Sequence, residues 1–181
     1  MNWMKKVAVA LVCLLPLGLQ AAKVDTLQVK SPSMNKSIEV VVVSPDVAAT
    51  KACPVIYLLH GYGGNARTWV GIKPDLSKIA DEKGIFFVCP DGKNTWYWDS
   101  PLNADVRYET FISDELVKYV DSHYKTVADR KGRAITGLSM GGHGAMWNGL
   151  RHSDVFSAAG STSGGVDIRP FPKNWEMSVQ I

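Results

Sequence analysis

Apolar residues recur along this chain with two periods, and the two alternate. Short continuous runs that stop at glycine, "PVIYLLHG" (54–61), "IFFVCPDG" (85–92) and "RAITG" (133–137), predict strands buried on both faces. "VFSAAGS" (155–161) predicts a further strand. Between them the spacing turns helical. "DLSKIADEKG" (75–84) places Leu76, Ile79 and Ala80 together, and Gly84 ends it. "ETFISDELVKYVDSHY" (109–124) sets Ile112, Leu116, Val120 and Tyr124 four apart on one face. "GGHGAMWNGLRH" (141–152) predicts a helix directly after the third buried run. Two strands, "DTLQVKS" (25–31) and "KSIEVVVVSP" (36–45), precede all of these. Strands alternating with helices imply an α/β fold: an open, mainly parallel sheet with helices on both faces. Ligands then bind beyond the carboxyl ends of the strands.

The first residues do not fit this pattern. Lys5 and Lys6 precede an apolar run from Val7 to Leu19, and small residues follow at Ala21 and Ala22. That order predicts a secretory leader over residues 1–22 and one domain over 23–181. The run is shorter than the ~20 residues a membrane span needs and is broken by Pro16 and Gly18, so no stable membrane anchor is expected after cleavage. The mature protein is expected in a periplasm or secreted. With 181 residues, 46% of them hydrophobic and 20% charged, the chain can build one core. A net charge of +3, with no basic stripe among aromatics, argues against nucleic acid as a partner. Outside the leader, Cys53 opens one buried run and Cys89 ends another. On neighbouring parallel strands they would lie at opposite ends of the sheet, too far apart to bridge. No Cys/His cluster has metal-ligand spacing, and no cofactor is implied.

The chemistry concentrates at two glycine-rich junctions. Gly137-Leu138-Ser139-Met140-Gly141 reads G-x-S-x-G between a strand and a helix. Such a turn strains the serine backbone and lifts its hydroxyl clear. Side chains at Gly137 and Gly141 would collide with neighbouring backbone. The Met140 N–H, at a helix N-terminus, is aimed where an oxyanion would form. The second junction is His60-Gly61-Tyr62-Gly63-Gly64, after the strand "VIYLL". Its glycines let N–H groups turn inward, and the Tyr62 N–H is the expected second oxyanion donor. His60 and Gly61 are expected at the substrate site, with the His60 ring buried and fixing the loop rather than acting as base. After the fourth strand comes "DGKNTWYWD" (91–99), where Trp96 and Trp98 are expected to line an acyl or sugar pocket.

In combination, "YLLHGYGGNARTW", "CPDGKNTWYWDSP", "YETFISDELVKYVDSHY" and "GLSMGGHGAMWNGLRHSDVFSAAGSTSG" resemble the esterase-D-like branch of the α/β-hydrolases. That branch includes tributyrin esterases, S-formylglutathione hydrolases and acetylxylan and feruloyl esterases. The resemblance runs from about Ile38 onward. It implies an α/β-hydrolase fold and hydrolysis of small acyl or carbohydrate-linked esters through an acyl-enzyme on Ser139, with Met140 and Tyr62 as oxyanion donors. One departure stands out. Members order their triad serine, acid, histidine. Here the acids after Ser139 are Asp154, Asp167 and Glu176, and the later histidines, His143 and His152, precede them all. His143 lies on the helix leading away from the serine and is expected to point into packing. His152 lies about 15 Å further down that helix, and His123 ends another. The resemblance implies that the triad acid and base belong to loops after two further strands of the fold. Two alternatives stay open: acyl transfer on the same fold, and a non-catalytic glycan-binding module without acid and base.

Overall fold

The computed structural model describes residues 22–167. Residues 1–21 of the expected leader, and the end of the chain with Glu176, lie outside the described residues. In chain order the elements are β1 (Lys23–Ser31), β2 (Lys36–Ser44), β3 (Val55–Leu59), α1 (Thr68–Ile72), α2 (Leu76–Lys83), β4 (Phe86–Pro90) and α3 (Tyr108–Thr110). A π-helical turn (Phe111–Glu115) leads into α4 (Leu116–His123), followed by β5 (Arg133–Gly137), α5 (Met140–Arg151) and β6 (Ala158–Ala159). The strands form one six-stranded sheet in the order β1-β2-β4-β3-β5-β6. The strands β4, β3, β5 and β6 run parallel. The β1–β2 hairpin joins them antiparallel, through β2 on β4. The sheet is therefore mixed, with the parallel part carrying the two glycine-rich junctions at one end.

The valine run of β2 is continuous because both faces of the sheet are covered. Val40 and Val42 enter one core with Tyr57, Leu59, Phe86, Val88, Ile112 and Leu116. Val41 and Val43 enter another with Leu58, Phe87, Cys89, Leu76 and Ala80. Alternate side chains of each strand thus serve opposite layers. Gly84 closes α2 in the left-handed conformation, φ 63 and ψ 47, as glycine at a helix end does without strain. Ile112, Leu116 and Val120 are all buried. Positions four apart drift around a 3.6-residue helix, and the wide π turn takes up that drift. Cys53 and Cys89 are free and buried, one before β3 and the other within β4, and burial pushes both thiols up in pKa.

The expected strand over 155–161 is corrected to the pair Ala158–Ala159, which is exposed. Backbone bonds continue on either side of it, from Ser157 N to Arg133 O, Gly160 N to Ile135 O and Thr162 N to Gly137 O, each 2.9 Å. The apolar pair that suggested a longer strand belongs to the turn after α5. Val155 N and Phe156 N both bond His152 O, at 2.9 and 3.0 Å, and the buried Phe156 ring meets Tyr57 edge-on at 5.7 Å. Alanine and glycine at a sheet edge offer little to bury, so pairing there is held by backbone alone.

Glu109 of α3 fastens the far end of α5. Its carboxylate is buried and accepts from Trp147 Nε1 at 2.7 Å, Arg151 Nε at 2.7 Å and His152 Nε2 at 2.9 Å. Burial alone would raise its pKa, but these donors outweigh burial and hold it below the ordinary value of 4.5. A depressed folded-state pKa adds stability above the unfolded value that is lost as pH falls through the folded one. Urea titrations should therefore show Glu109→Gln less stable than wild type at pH 7. The gap should shrink steadily below pH ~4.5, and a gap independent of pH would refute the charged tie.

Candidate active site

Ser139 stands between the last residue of β5 and the first turn of α5 with φ 51 and ψ −118. A non-glycine residue pays about 1–3 kcal/mol for such a conformation. Several bonds hold it there. Ser139 N–H donates to Thr162 O at 2.8 Å, Gly141 N–H to Leu138 O at 2.8 Å, and His143 N–H to Ser139 O at 3.0 Å. The flanking glycines are needed for closeness. A Cβ on Gly137 would fall 2.8 Å from the Leu59 carbonyl oxygen, and one on Gly141 2.6 Å from that of His60, with other backbone atoms nearer still. Ser139 is exposed while Gly137, Met140 and Gly141 around it are buried. Met140 opens α5, where first-turn N–H groups have no intrahelical partner and the helix dipole favours negative charge.

The loop after β3 lies against this turn. A Cβ on Gly61 would come within 2.7 Å of Leu138 Cδ1 and 3.5 Å of Ser139 Cβ. His60 is fully buried, so it supports this loop from beneath rather than facing a substrate. Its partners define its tautomer. Nδ1 meets Gly61 O, which can only accept, at 2.7 Å; Nε2 meets Gly92 N–H, which can only donate, at 2.9 Å. His60 is therefore the neutral Nδ1–H form, and it ties the loop after β3 to the loop after β4. Two further ties were not legible in the sequence. Asn94 Oδ1 accepts Gly63 N–H at 2.8 Å, and the buried Tyr97 hydroxyl donates to His60 O at 3.1 Å. Beside them, burial works to raise the Asp91 pKa, but Lys93, through its ammonium at 2.6 Å and its backbone N–H at 2.8 Å, outweighs it and holds the carboxylate well below its usual range.

The aromatic stretch is turned inward more than expected. Lys93, Trp96 and Tyr97 all take positive φ (50, 56 and 63), which folds the segment back on itself. Trp96 is buried in the core rather than forming an open wall, and Trp98 is half-buried. Trp98 Nε1 donates to His143 Nε2 at 2.9 Å, while His143 Nδ1 donates to Gly165 O at 2.6 Å. Trp96 meets the same imidazole edge-on at 5.5 Å. His143 thus clamps the start of α5 to the segment after β4 and the segment after β6. Both ring nitrogens are thus engaged by partners other than Ser139. Burial lowers the His143 pKa, and the Gly165 bond opposes this only partly. His152 is held by Glu109, and His123 by Tyr119 O at 2.8 Å and Ser122 Oγ at 2.9 Å. Among the described residues no group of acids, histidines and cysteines could hold a metal ion.

Two predictions test this geometry. Ser139→Gly removes the left-handed strain and should raise stability by about 1 kcal/mol, read as a higher Tm; an unchanged or lower Tm would mean the turn is unstrained. For His143, ¹⁵N NMR should find the Nδ1–H tautomer at pH 7. The Trp98 indole resonance should shift as acid protonates Nε2 below pH ~6.5, since an imidazolium has no acceptor. An indole resonance indifferent to His143 titration would break the clamp.

Known proteins share this sequence and fold. Residues 31–178 match the family model described as "Putative esterase". An esterase of Mycobacterium tuberculosis is 31% identical over 149 residues, covering 78% of this chain and 32% of its own length. A diacylglycerol acyltransferase/mycolyltransferase of Mycobacterium leprae is 32% identical over 158 residues, covering 80% of this chain and 44% of its own. Among solved structures, a ferulic acid esterase superposes with TM-score 0.73 at 32% identity, over 89% of this chain and 66% of its own. The chain spans less than two thirds of the length of each of these proteins. With a strained serine turn between β5 and α5, and a match over most of its length, this chain belongs to the esterase family and has the α/β-hydrolase fold.

Proposed function

We propose that Ser139 is the nucleophile of a carboxylic-ester hydrolase acting through an acyl-enzyme on small acyl or carbohydrate-linked esters. The observation that carries this is the exposed serine held at φ 51 on a turn too tight for side chains on either flank. Strain of that kind persists where surrounding structure over-determines it, and active sites are where it clusters. In the reading, Ser139 Oγ attacks the ester carbonyl, and the N–H groups of Met140 and Tyr62 receive the developing oxyanion. The alkoxide then leaves, and water releases the acyl group from the serine. Proton transfer in both steps needs a base and its orienting acid. The described histidines have other partners, so that pair is not assigned to any of them. Export completes the proposal, supported by the charged, apolar and small-residue order of residues 1–22.

A second reading has specific support. The Mycobacterium leprae relative, 32% identical over 80% of this chain, is named an acyltransferase. In acyl transfer an alcohol replaces water in the second step, with the first step unchanged. Product analysis with a sugar acceptor separates the two.

The test of the nucleophile is peptide mapping after prolonged exposure to a fluorophosphonate. The expected adduct is on Ser139 alone, absent in Ser139→Ala. It should form slowly in this chain, because each described imidazole is bonded to other partners; triad members act as a unit, and a serine without its base loses most of its reactivity. An adduct on another serine, or none on Ser139, would overturn the assignment.

A further inference from the structure

The loop after β3 closes as a four-residue turn. Gly64 N–H donates to Gly61 O at 3.0 Å, so Tyr62 and Gly63 are the central residues. Gly63 takes φ 74, while Tyr62 stays on the negative side. A positive φ at the second central residue alone makes this a type II turn. A Cβ on Gly63 would meet nothing within 4 Å, so it is the backbone angle that asks for glycine there. Types I and II differ by a half-turn of the central peptide, here Tyr62–Gly63. Whatever fixes that peptide chooses the turn, and the turn carries the Tyr62 N–H.

Two successive peptides of this turn are each held by a side chain. The first, Gly61–Tyr62, is held from beneath: Gly61 O accepts from His60 Nδ1–H at 2.7 Å as well as from Gly64 N–H. A trans peptide is planar, with its C=O and N–H opposed. Drawing that carbonyl inward therefore turns the Tyr62 N–H outward. The second peptide is held from the side, where Gly63 N–H donates to Asn94 Oδ1 at 2.8 Å. Asn94 is presented by a braced segment. Asp91 Oδ1 accepts Lys93 N–H at 2.8 Å, Thr95 Oγ1 donates to Gly92 O at 2.6 Å, and Gly92 N–H donates to the His60 ring at 2.9 Å. A half-turn of the Tyr62–Gly63 peptide would set the Tyr62 carbonyl in place of the N–H that Asn94 Oδ1 faces, acceptor against acceptor. It would also reverse a peptide dipole beside the Tyr62 N–H. Asn94 and Gly63 are both exposed, so water competes for their bond, whereas His60 is fully buried. Of the two holds, the one from Asn94 is the weaker.

We propose that Asn94 is a positioning residue for the reaction at Ser139: it locks the Tyr62–Gly63 peptide in the type II turn and so keeps the Tyr62 N–H set for the developing oxyanion. The role rests on the esterase reading of Ser139, but the lock itself needs no serine chemistry, and this makes the two separable. Two readouts test it on the full chain. Hydrogen-exchange NMR of the Gly63 amide reads the lock. The rate of fluorophosphonate labelling of Ser139, followed by mass spectrometry, reads the donors, because the attack builds negative charge on the phosphonyl oxygen. In Asn94→Ala the Gly63 amide should exchange about fivefold faster, and labelling should slow about tenfold, with the amide peaks of α5 in place. Asn94→Asp keeps an acceptor for the Gly63 N–H and should restore both rates. Gly63→Ala, which disfavours the positive φ, should slow labelling as Asn94→Ala does, while Gly63→Asn, which tolerates it, should not. Labelling of Asn94→Ala at the wild-type rate, equal slowing in Asn94→Asp, or an unchanged Gly63 exchange rate would each overturn the proposal. A wild-type chain whose Ser139 never labels removes the hydrolase reading, and the Gly63 exchange rates still decide whether Asn94 holds the turn.

Discussion

Where α5 meets the end of β3 there is space for hydrogen atoms and nothing larger. The Leu59 and His60 carbonyls come so close to Gly137 and Gly141 that any side chain at either position would strike backbone. Much of the site follows from that contact. It brings the loop after β3 against the serine turn, so both expected oxyanion donors share one rigid junction. It forces Ser139 into its left-handed conformation, because the chain must leave β5 and enter α5 within two residues. It also keeps the serine exposed, since the turn has no inward direction left for a side chain.

A contact that tight needs its surrounding loops held, and here hydrogen bonds between segments far apart in sequence hold them. His60 joins the loop after β3 to the loop after β4 through Gly92. Asn94 returns the bond to Gly63. Thr162 takes the Ser139 N–H, and His143 draws Gly165 and Trp98 together over the start of α5. Both of these histidines are pinned as Nδ1–H tautomers by partners that can only accept or only donate. Such bracing costs little as long as each buried polar atom is satisfied, and it resists slippage better than apolar packing, which has no direction.

Local periods carried most of what could be read from the sequence. The strands β2 to β5, the helices α2, α4 and α5, and both glycine-rich junctions are short-range patterns, and they stand where those patterns put them. The failures share a cause. Val155-Phe156 looked like the start of a strand, yet Phe156 plugs the core beside Tyr57, and the strand shrank to two exposed alanines. Trp96 looked like pocket wall, yet positive φ at Trp96 and Tyr97 turns the segment into the core, and nothing in the local pattern announces a left-handed tryptophan. Asn94 and Thr162 carry no local signal at all; their roles exist only once distant loops meet.

The arrangement also separates two parts of serine chemistry that are often discussed as one. Electrostatic stabilisation depends on donors fixed before the reaction begins, and the two expected donors, Met140 and Tyr62, stand on a continuous junction of β3, β5 and α5. Proton relay depends on an imidazole whose Nε2 is open toward the serine hydroxyl. His143 is the described histidine nearest in sequence, and its tautomer has Nε2 as an acceptor, as a base requires. Yet Nε2 is already occupied by the Trp98 N–H at 2.9 Å, and the ring sits on a helix running away from the turn. Freeing it would mean breaking the clamp that orders Trp98 and Gly165. The same imidazole cannot both brace the elbow and take its proton, so the relay that the hydrolase reading requires would come from a segment other than α5.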